Sequence, residues 1–118
     1  SAYKKIKARL YLLNKEAEAA VQFLTNYPPA LAADTEYFEL LATAYQQSDR
    51  YIEAIETYQN LIRYDGQQAR WWVGMGVSHE AMGNSANAIS SYQAAIQIPK
   101  LDNALRQYSQ NRIRYLKN

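Results

Sequence analysis

The side chains best able to do chemistry are few and scattered. His79 is the only histidine, and there is no cysteine. A lone imidazole without a thiolate or a second imidazole lacks the donor set of an ordinary zinc site. As a general base it would need an orienting partner, and the adjacent Glu80 points elsewhere on a helix. Glu36 and Glu39 stand three apart and could share a helix face. A paired-carboxylate hydrolase needs such groups in a cleft with shifted pKa values, and the sequence around them reads as a solvated or peptide-facing surface. The run "GMG" at Gly74–Gly76 has the glycines of a phosphate loop. No strand pattern precedes it and it lies inside a helical pattern, so it reads as a close helix crossing. Trp71-Trp72 is the strongest local feature. Trp72 reads as core within its helix pair, and Trp71 as packing on the preceding helix, since buried aromatics usually serve packing. His79 reads as a packed ring for the same reason. The chain therefore offers no nucleophile–base pair, metal cluster or phosphate loop; no enzyme activity, cofactor or metal is expected.

Composition points to helices that hold a surface, not a reaction centre. The chain has 118 residues, 48% hydrophobic and 20% charged, enough for one modest core. With only 4 Gly and 3 Pro, and with Ala, Leu, Gln, Glu, Lys and Arg favoured over Val, Ile and Thr, long helices are expected. Without cysteine there is no disulfide framework, which leaves cytoplasm and periplasm both open. No apolar run is long enough to span a bilayer and no signal peptide is visible, so a membrane link would need an anchor outside this stretch. Charge is uneven along the chain. Residues 1–18 carry five basic and two acidic groups, residues 19–99 three and eight, and residues 100–118 five and one. Basic ends around an acidic middle favour separate charged surfaces over one continuous nucleic-acid stripe.

The chain repeats itself. "EAIETYQNLI" (Glu53–Ile62) is followed 34 residues later by "NAISSYQAAI" (Asn87–Ile96). At the same offset Ala8, Ala42 and Gly76 are all small, Tyr11, Tyr45 and His79 are all rings, and Ala20, Ala54 and Ala88 match. So do Leu24, Tyr58 and Tyr92, and the pairs Phe38/Trp72 and Leu41/Met75. Within each unit apolar positions recur three or four apart, which is helical spacing. Asp49 and Gly83 suit the left-handed residue that ends a helix, and Gly66 is expected to end the middle unit in the same way. Each unit is thus a helix, a tight turn and a second helix. The small residues mark where helices cross closely. A lone amphipathic pair cannot bury its stripe, so the units must stack. Helices are expected near 2–13, 16–26, 35–48, 51–64, 68–82, 85–97 and 102–117. In the first, Lys4 and Lys7 replace the later apolar residues, and Ile6, Leu10 and Leu13 are expected to supply its apolar face. In the last, Leu101, Leu105, Tyr108 and Leu116 form a stripe flanked by Ile113, as a capping helix requires.

These positions resemble the tetratricopeptide repeat: Phe38, Leu41, Ala42, Tyr45, Ala54, Tyr58 and Leu61 in the middle unit, and Trp72, Gly76, His79, Gly83, Ala88, Tyr92 and Ala95 in the last. The resemblance implies an all-α fold, a right-handed superhelical α-α solenoid of helix pairs with a C-terminal capping helix. It would form a single domain over 1–118: a degenerate repeat at 1–34, repeats at 35–68 and 69–100, and the cap at 101–118. The order "RWWVGMGVSHEAMG", then "SYQAAI", a link with Pro99, and "LRQYSQNRIRYL" is also similar to the C-terminal repeat region of biogenesis proteins of mannose-sensitive haemagglutinin (type IV) pili. That resemblance implies a periplasmic module tethered to the inner membrane, serving assembly of a pilus or secretion machine; the cytoplasm is the alternative.

In such a stack the first helix of each pair lines the concave side. The register places Lys5 and Arg9 there from the first unit, Glu36, Glu39, Thr43 and Gln46 from the second, and Arg70, Val73, Val77 and Glu80 from the third. This mixed surface suits an extended or helical peptide. It suits a terminal-carboxylate clamp poorly, because Thr43 and Val77 stand where Asn would be wanted and Glu36 and Glu39 repel a carboxylate. The expected partner is a protein or peptide, other pilus-assembly components among them. Self-association through the exposed ends and a generic peptide adaptor are the alternative readings. A nucleic-acid partner at 1–15 and 106–117 would show a steep salt dependence and is not expected.

Overall fold

The computed structural model describes residues 2–118, and its regular elements are helical throughout. Helices α1 (Ala2–Leu13), α2 (Ala17–Thr25), α3 (Thr35–Gln47), α4 (Tyr51–Tyr64), α5 (Ala69–Ala81), α6 (Ser85–Ile96) and α7 (Asn103–Lys117) are joined by short links, with one 3-10 turn at Leu31–Ala33. No strand occurs among the described residues. The bounds fall within two residues of the expected ones. Two compact units form, one running to Thr57 and one from Tyr58 to Asn118, so the division falls inside α4.

One turn is written three times. Lys15, Asp49 and Gly83 stand 34 apart, and each takes a left-handed conformation, with φ of 59°, 60° and 77°. The next residue's N–H donates back to the carbonyl of the in-phase ring: Glu16 to Tyr11 (2.8 Å), Arg50 to Tyr45 (2.8 Å) and Asn84 to His79 (2.9 Å). A second bond ties Lys15 to Leu12, Asp49 to Gln46 and Gly83 to Glu80, which completes the paired bonding of a Schellman C-cap. Carbonyls 16, 50 and 84 then accept from Ala20, Ala54 and Ala88, starting the second helix of each pair. All three alanines are fully buried, as are Ala8 and Ala42. Gly76 needs its lack of a side chain, because a Cβ there would lie 2.7 Å from the Tyr92 ring. Gly66 departs from expectation. Its φ is not positive, and its carbonyl instead accepts the Trp72 indole N–H at 3.0 Å, while the Asp65 carboxylate accepts from Gln67 N–H at 3.0 Å and forms the turn.

In the first unit, Ala8, Leu24, Tyr37 and Leu41 form one cluster and Ala20, Val21 and Ala44 another, with the half-buried Tyr45 packed on both. The buried Tyr37 hydroxyl donates to the Leu24 carbonyl at 2.6 Å. Asp34 caps α3 by accepting from Tyr37 N–H at 3.2 Å. The lysines that replace apolar residues lie over rings: Lys7 Nζ is 5.1 Å from the Phe23 centroid, and Lys4 Nζ is 5.8 Å from Phe23 and 5.9 Å from Tyr37 while donating to the Asn26 carbonyl. Their stems cover apolar surface and their ammonium groups sit on the negative ring faces. This overturns the expected apolar face of α1. Ile6, Leu10 and Leu13 point to water, and the face toward the core is built from Ala8 with half-buried Lys4, Lys7, Tyr11 and Leu12.

In the second unit, Val73, Ala88, Tyr92 and Ala95 form the core, with Ala69, Trp72, Val77, Leu105, Ile113 and Leu116 packed on it. Helix α7 thus covers α5 and α6 through Leu105, Ile113 and Leu116. Tyr108 of the expected stripe is partly exposed, its ring meeting Tyr92 edge-on at 6.0 Å, while Ser109 is fully buried. Trp71 is buried, as a packing role requires, and Trp72 is half-buried against the core of its own helix pair, as expected. Their in-phase partners Tyr37 and Phe38 follow the same order.

Candidate protein-interaction site

The residues expected to line one groove belong to both compact units, and each set has its own surroundings. In the first unit α1 and α3 bring four charges together. Lys5 Nζ donates to Glu36 Oε1 at 2.9 Å and to Asp34 Oδ1 at 3.2 Å, and Arg9 Nη2 to Glu36 Oε2 at 2.6 Å. The Glu36 bond, then the Asp34 bond, raise the Lys5 pKa; the Lys5 bond chiefly holds the Glu36 carboxyl below its ordinary value. Arg9 and Glu36 are exposed and Lys5 and Asp34 half-buried at the surface, so water still screens the pairing and its value lies in orientation. Two basic residues and two acids cancel, which leaves an ordered and nearly neutral patch. Further along α3, Glu39, Thr43 and Gln46 are half-buried, and the Thr43 hydroxyl donates to the Glu39 carbonyl at 3.1 Å.

In the second unit the expected set is split. Arg70 is exposed, with its guanidinium 5.3 Å from the Trp71 ring and donating to the Gln68 side chain at 2.6 Å. Val73 does not line a groove. It is only 6% exposed and belongs to the core, because α6 and α7 close over that side of α5. Val77 is half-buried against the same cluster. Glu80 is engaged within its own unit: it accepts from Arg112 Nε at 3.1 Å and from the Tyr92 hydroxyl at 3.0 Å, and Arg112 Nη2 closes the ion pair. The Arg112 bond lowers the Glu80 pKa against the opposing effect of burial, and burial raises that of Tyr92. This pair fastens α7, and the register from α5 alone could not reveal it.

The other groups with potential chemistry stay apart. His79 is half-buried, its Nδ1 buried without a hydrogen-bond partner, and burial lowers its pKa. No group of three or more His, Cys, Asp or Glu able to hold a metal occurs among the described residues. No helix there is long and apolar enough to cross a membrane. An open cleft of about 600 Å³ lies where the links before α5 and α7 meet, lined by Gln68, Arg70, Ile98, Lys100 and Asp102 among others.

The sequence profile of the tetratricopeptide repeat matches residues 35–68 and 69–100. The chain belongs to the tetratricopeptide repeat family. Solved tetratricopeptide-type structures superpose over almost all of it. PcrH from Pseudomonas aeruginosa is 15% identical, covers 99% of this chain and 91% of its own, and gives a TM-score of 0.87. The Sgt2 tetratricopeptide domain from Aspergillus fumigatus is 20% identical, with 98% and 78% covered and a TM-score of 0.80. The second such domain of human RPAP3, solved with the HSP70 peptide SGPTIEEVD, is 17% identical, with 98% and 92% covered and a TM-score of 0.77. At these identities the likeness is one of fold: an all-α solenoid of tetratricopeptide helix pairs. No curated protein matches the chain in sequence.

Proposed function

We propose that this tetratricopeptide chain is a non-enzymatic interaction module, and that the α1–α3 face of its first unit receives a protein or peptide partner. The observation that carries this reading is the Lys5–Glu36–Arg9 arrangement beside Asp34. It holds charged groups of both signs in fixed places on two packed helices, with the half-buried Thr43 and Gln46 further along α3. A partner segment of mixed charge would exchange these bonds one for one. A bare carboxylate would gain little, because Lys5 and Arg9 already hold carboxylates; this argues against a clamp for a carboxylate terminus. The family and the peptide bound to the RPAP3 domain support peptide binding as the general mode. We read residues 1–34 as a divergent repeat of the same family, supported by the turn it shares with the other two pairs.

The resemblance of residues 70–116 to pilus-biogenesis repeat regions favours work in a pilus or secretion assembly, in the periplasm and tethered to the inner membrane from outside this stretch. The test is capture from a native cell envelope by the 118-residue chain, repeated with Glu39→Lys on the proposed face and with Arg63→Glu, an exposed residue of α4. Loss of a partner with the first variant alone supports the reading. Equal retention by both places the contact elsewhere.

A further inference from the structure

The open cleft of the second unit has two walls that are built before anything enters it. One is the link between α6 and α7. Ile98-Pro99-Lys100-Leu101 is a β-turn, with Pro99 at its second position and the Leu101 N–H donating to the Ile98 carbonyl at 3.2 Å. The turn buries Ile98, half-buries Leu101 and sets Lys100 in water. Arg106 ties the start of α7 to the end of α6 by donating to the Ile96 carbonyl at 3.3 Å. The other wall is the link between α4 and α5. There the Asp65 carboxylate accepts from the Gln67 N–H at 3.0 Å and from the Gln68 side chain at 2.9 Å, and the Gly66 carbonyl holds the Trp72 indole. Ala69, Ile98, Leu101 and Leu105 give the cleft of about 600 Å³ its apolar lining. Both links are internal to the chain, so the cleft owes nothing to either end of it.

The repeat register tells what the cleft lacks. The third residue of α3 is Tyr37, fully buried, and the third of α5 is Trp71, only 2% exposed. The third residue of α7, again 34 further on, is Leu105, and it is half-buried. A leucine does not fill the room of a ring, and Leu105 lines open space instead. Charge narrows the occupant. Arg70 and Lys100 stand on the rim against Asp102, an excess of one positive charge. The Arg70 guanidinium lies over the Trp71 ring and donates to Gln68. The Lys100 ammonium takes no hydrogen bond or ion pair among the described residues, and the exposed Asp102 neither pairs with it nor caps α7 with its side chain. We propose that this cleft receives one aromatic side chain of a partner peptide that carries a carboxylate beside the ring, with the ring against Ile98, Leu101 and Leu105 and the carboxylate at Lys100. Pockets of roughly 300–1,000 Å³ hold small ligands, so a ring with its flanking backbone has room. Walls already fixed by hydrogen bonds reduce the ordering cost of binding. The site lies in the second unit and the α1–α3 face in the first, so neither reading depends on the other.

Titration of the isotope-labelled 118-residue chain with acetyl-Asp-Trp-amide, followed by amide chemical shifts, tests this. Millimolar peptide should shift the amides of residues 67–70 and 100–105. Acetyl-Lys-Trp-amide should shift them less, and acetyl-Asp-Ala-amide not at all. Leu105→Trp writes the ring of the earlier repeats into the open place. It should abolish the shifts and raise the unfolding midpoint, because the chain then fills its own cleft. Lys100→Glu changes only an exposed side chain and should reverse the order of the two charged peptides; it carries the test alone where the new tryptophan does not fit. Glu39→Lys, in the first unit, should bind the peptides as the native chain does, which separates this site from the α1–α3 face. No shift at these amides with acetyl-Asp-Trp-amide, equal shifts with the alanine peptide, shifts that persist in folded Leu105→Trp, or an unchanged peptide order in Lys100→Glu would each overturn the proposal.

Discussion

The first helix pair and the third solve one geometric problem with different chemistry. Both close on the same C-cap, with a left-handed residue and two bonds back into the preceding turn. The third uses Gly83 there, Trp72 packed on the cluster it shares with its pair, and the buried Met75 and Trp71. The first uses Lys15, Lys4, Lys7 and Tyr3. Two lysines lying over Phe23, Tyr11 and Tyr37 replace apolar side chains, because a four-carbon stem covers a ring while its ammonium remains hydrated. Backbone geometry is thus the invariant of the repeat, and side-chain chemistry varies on it even where a neighbouring helix is packed against the position.

The largest expected effect exposes that asymmetry. Trp71→Ala removes a buried ring and should cost about 3–5 kcal/mol in urea unfolding. Tyr3→Ala, at the same repeat position but in water, should change stability by no more than about 0.5 kcal/mol. Comparable losses at both positions would mean that α1 is covered in solution.

Much of this was legible in the sequence, and its failures share a cause. Periodicity located the helices, and the smallness of Ala8, Ala42, Gly76, Ala20, Ala54 and Ala88 located the crossings, because volume at a close crossing is fixed by the backbone. Periodicity also found the apolar stripe Ile6-Leu10-Leu13. It could not say that this stripe lies away from the core of the unit, since α1 has two stripes on opposite sides and a lysine can serve the core. Val73 was misplaced for a related reason: its in-phase counterparts Lys5 and Glu39 are polar, and only α6 and α7, closing over α5, decide its burial. The Glu80–Arg112 pair, 32 residues apart, left no local signal at all. Lys15 escaped notice because no residue preference marks a lysine for the left-handed region.

That last residue gives a smaller and opposite pair of effects. A left-handed conformation costs an L-residue roughly 1–2 kcal/mol, part of which glycine gives back through the freedom of its unfolded chain. Lys15→Gly should therefore stabilise by about 0.5–1 kcal/mol, and Gly83→Lys should destabilise by a like amount. Unequal magnitudes, read from the unfolding midpoints, would show that the two turns differ in more than their residue.

The smallest effect separates the rings that share one register position, Tyr11, Tyr45 and His79. Only the third titrates near neutrality, and its buried Nδ1 has no partner. Burial lowers its folded pKa below the ordinary value of 6.5. The unfolded chain then takes up a proton that the folded chain resists. The stability contributed by neutral His79 is present above pH 6.5 and is lost as pH falls from there through the folded pKa. Glu36, Glu53 and Glu80 do not confuse this window, because hydrogen-bonded basic partners lower their pKa from 4.5, so their contributions are lost only in stronger acid. Stability of the native chain should thus decline between pH 7 and pH 5. His79→Tyr, which writes the ring of the first two pairs into the third, should remove that decline and leave the acid limb in place. An equal decline in the variant would assign the slope to another group, and would make the third ring as inert as the other two.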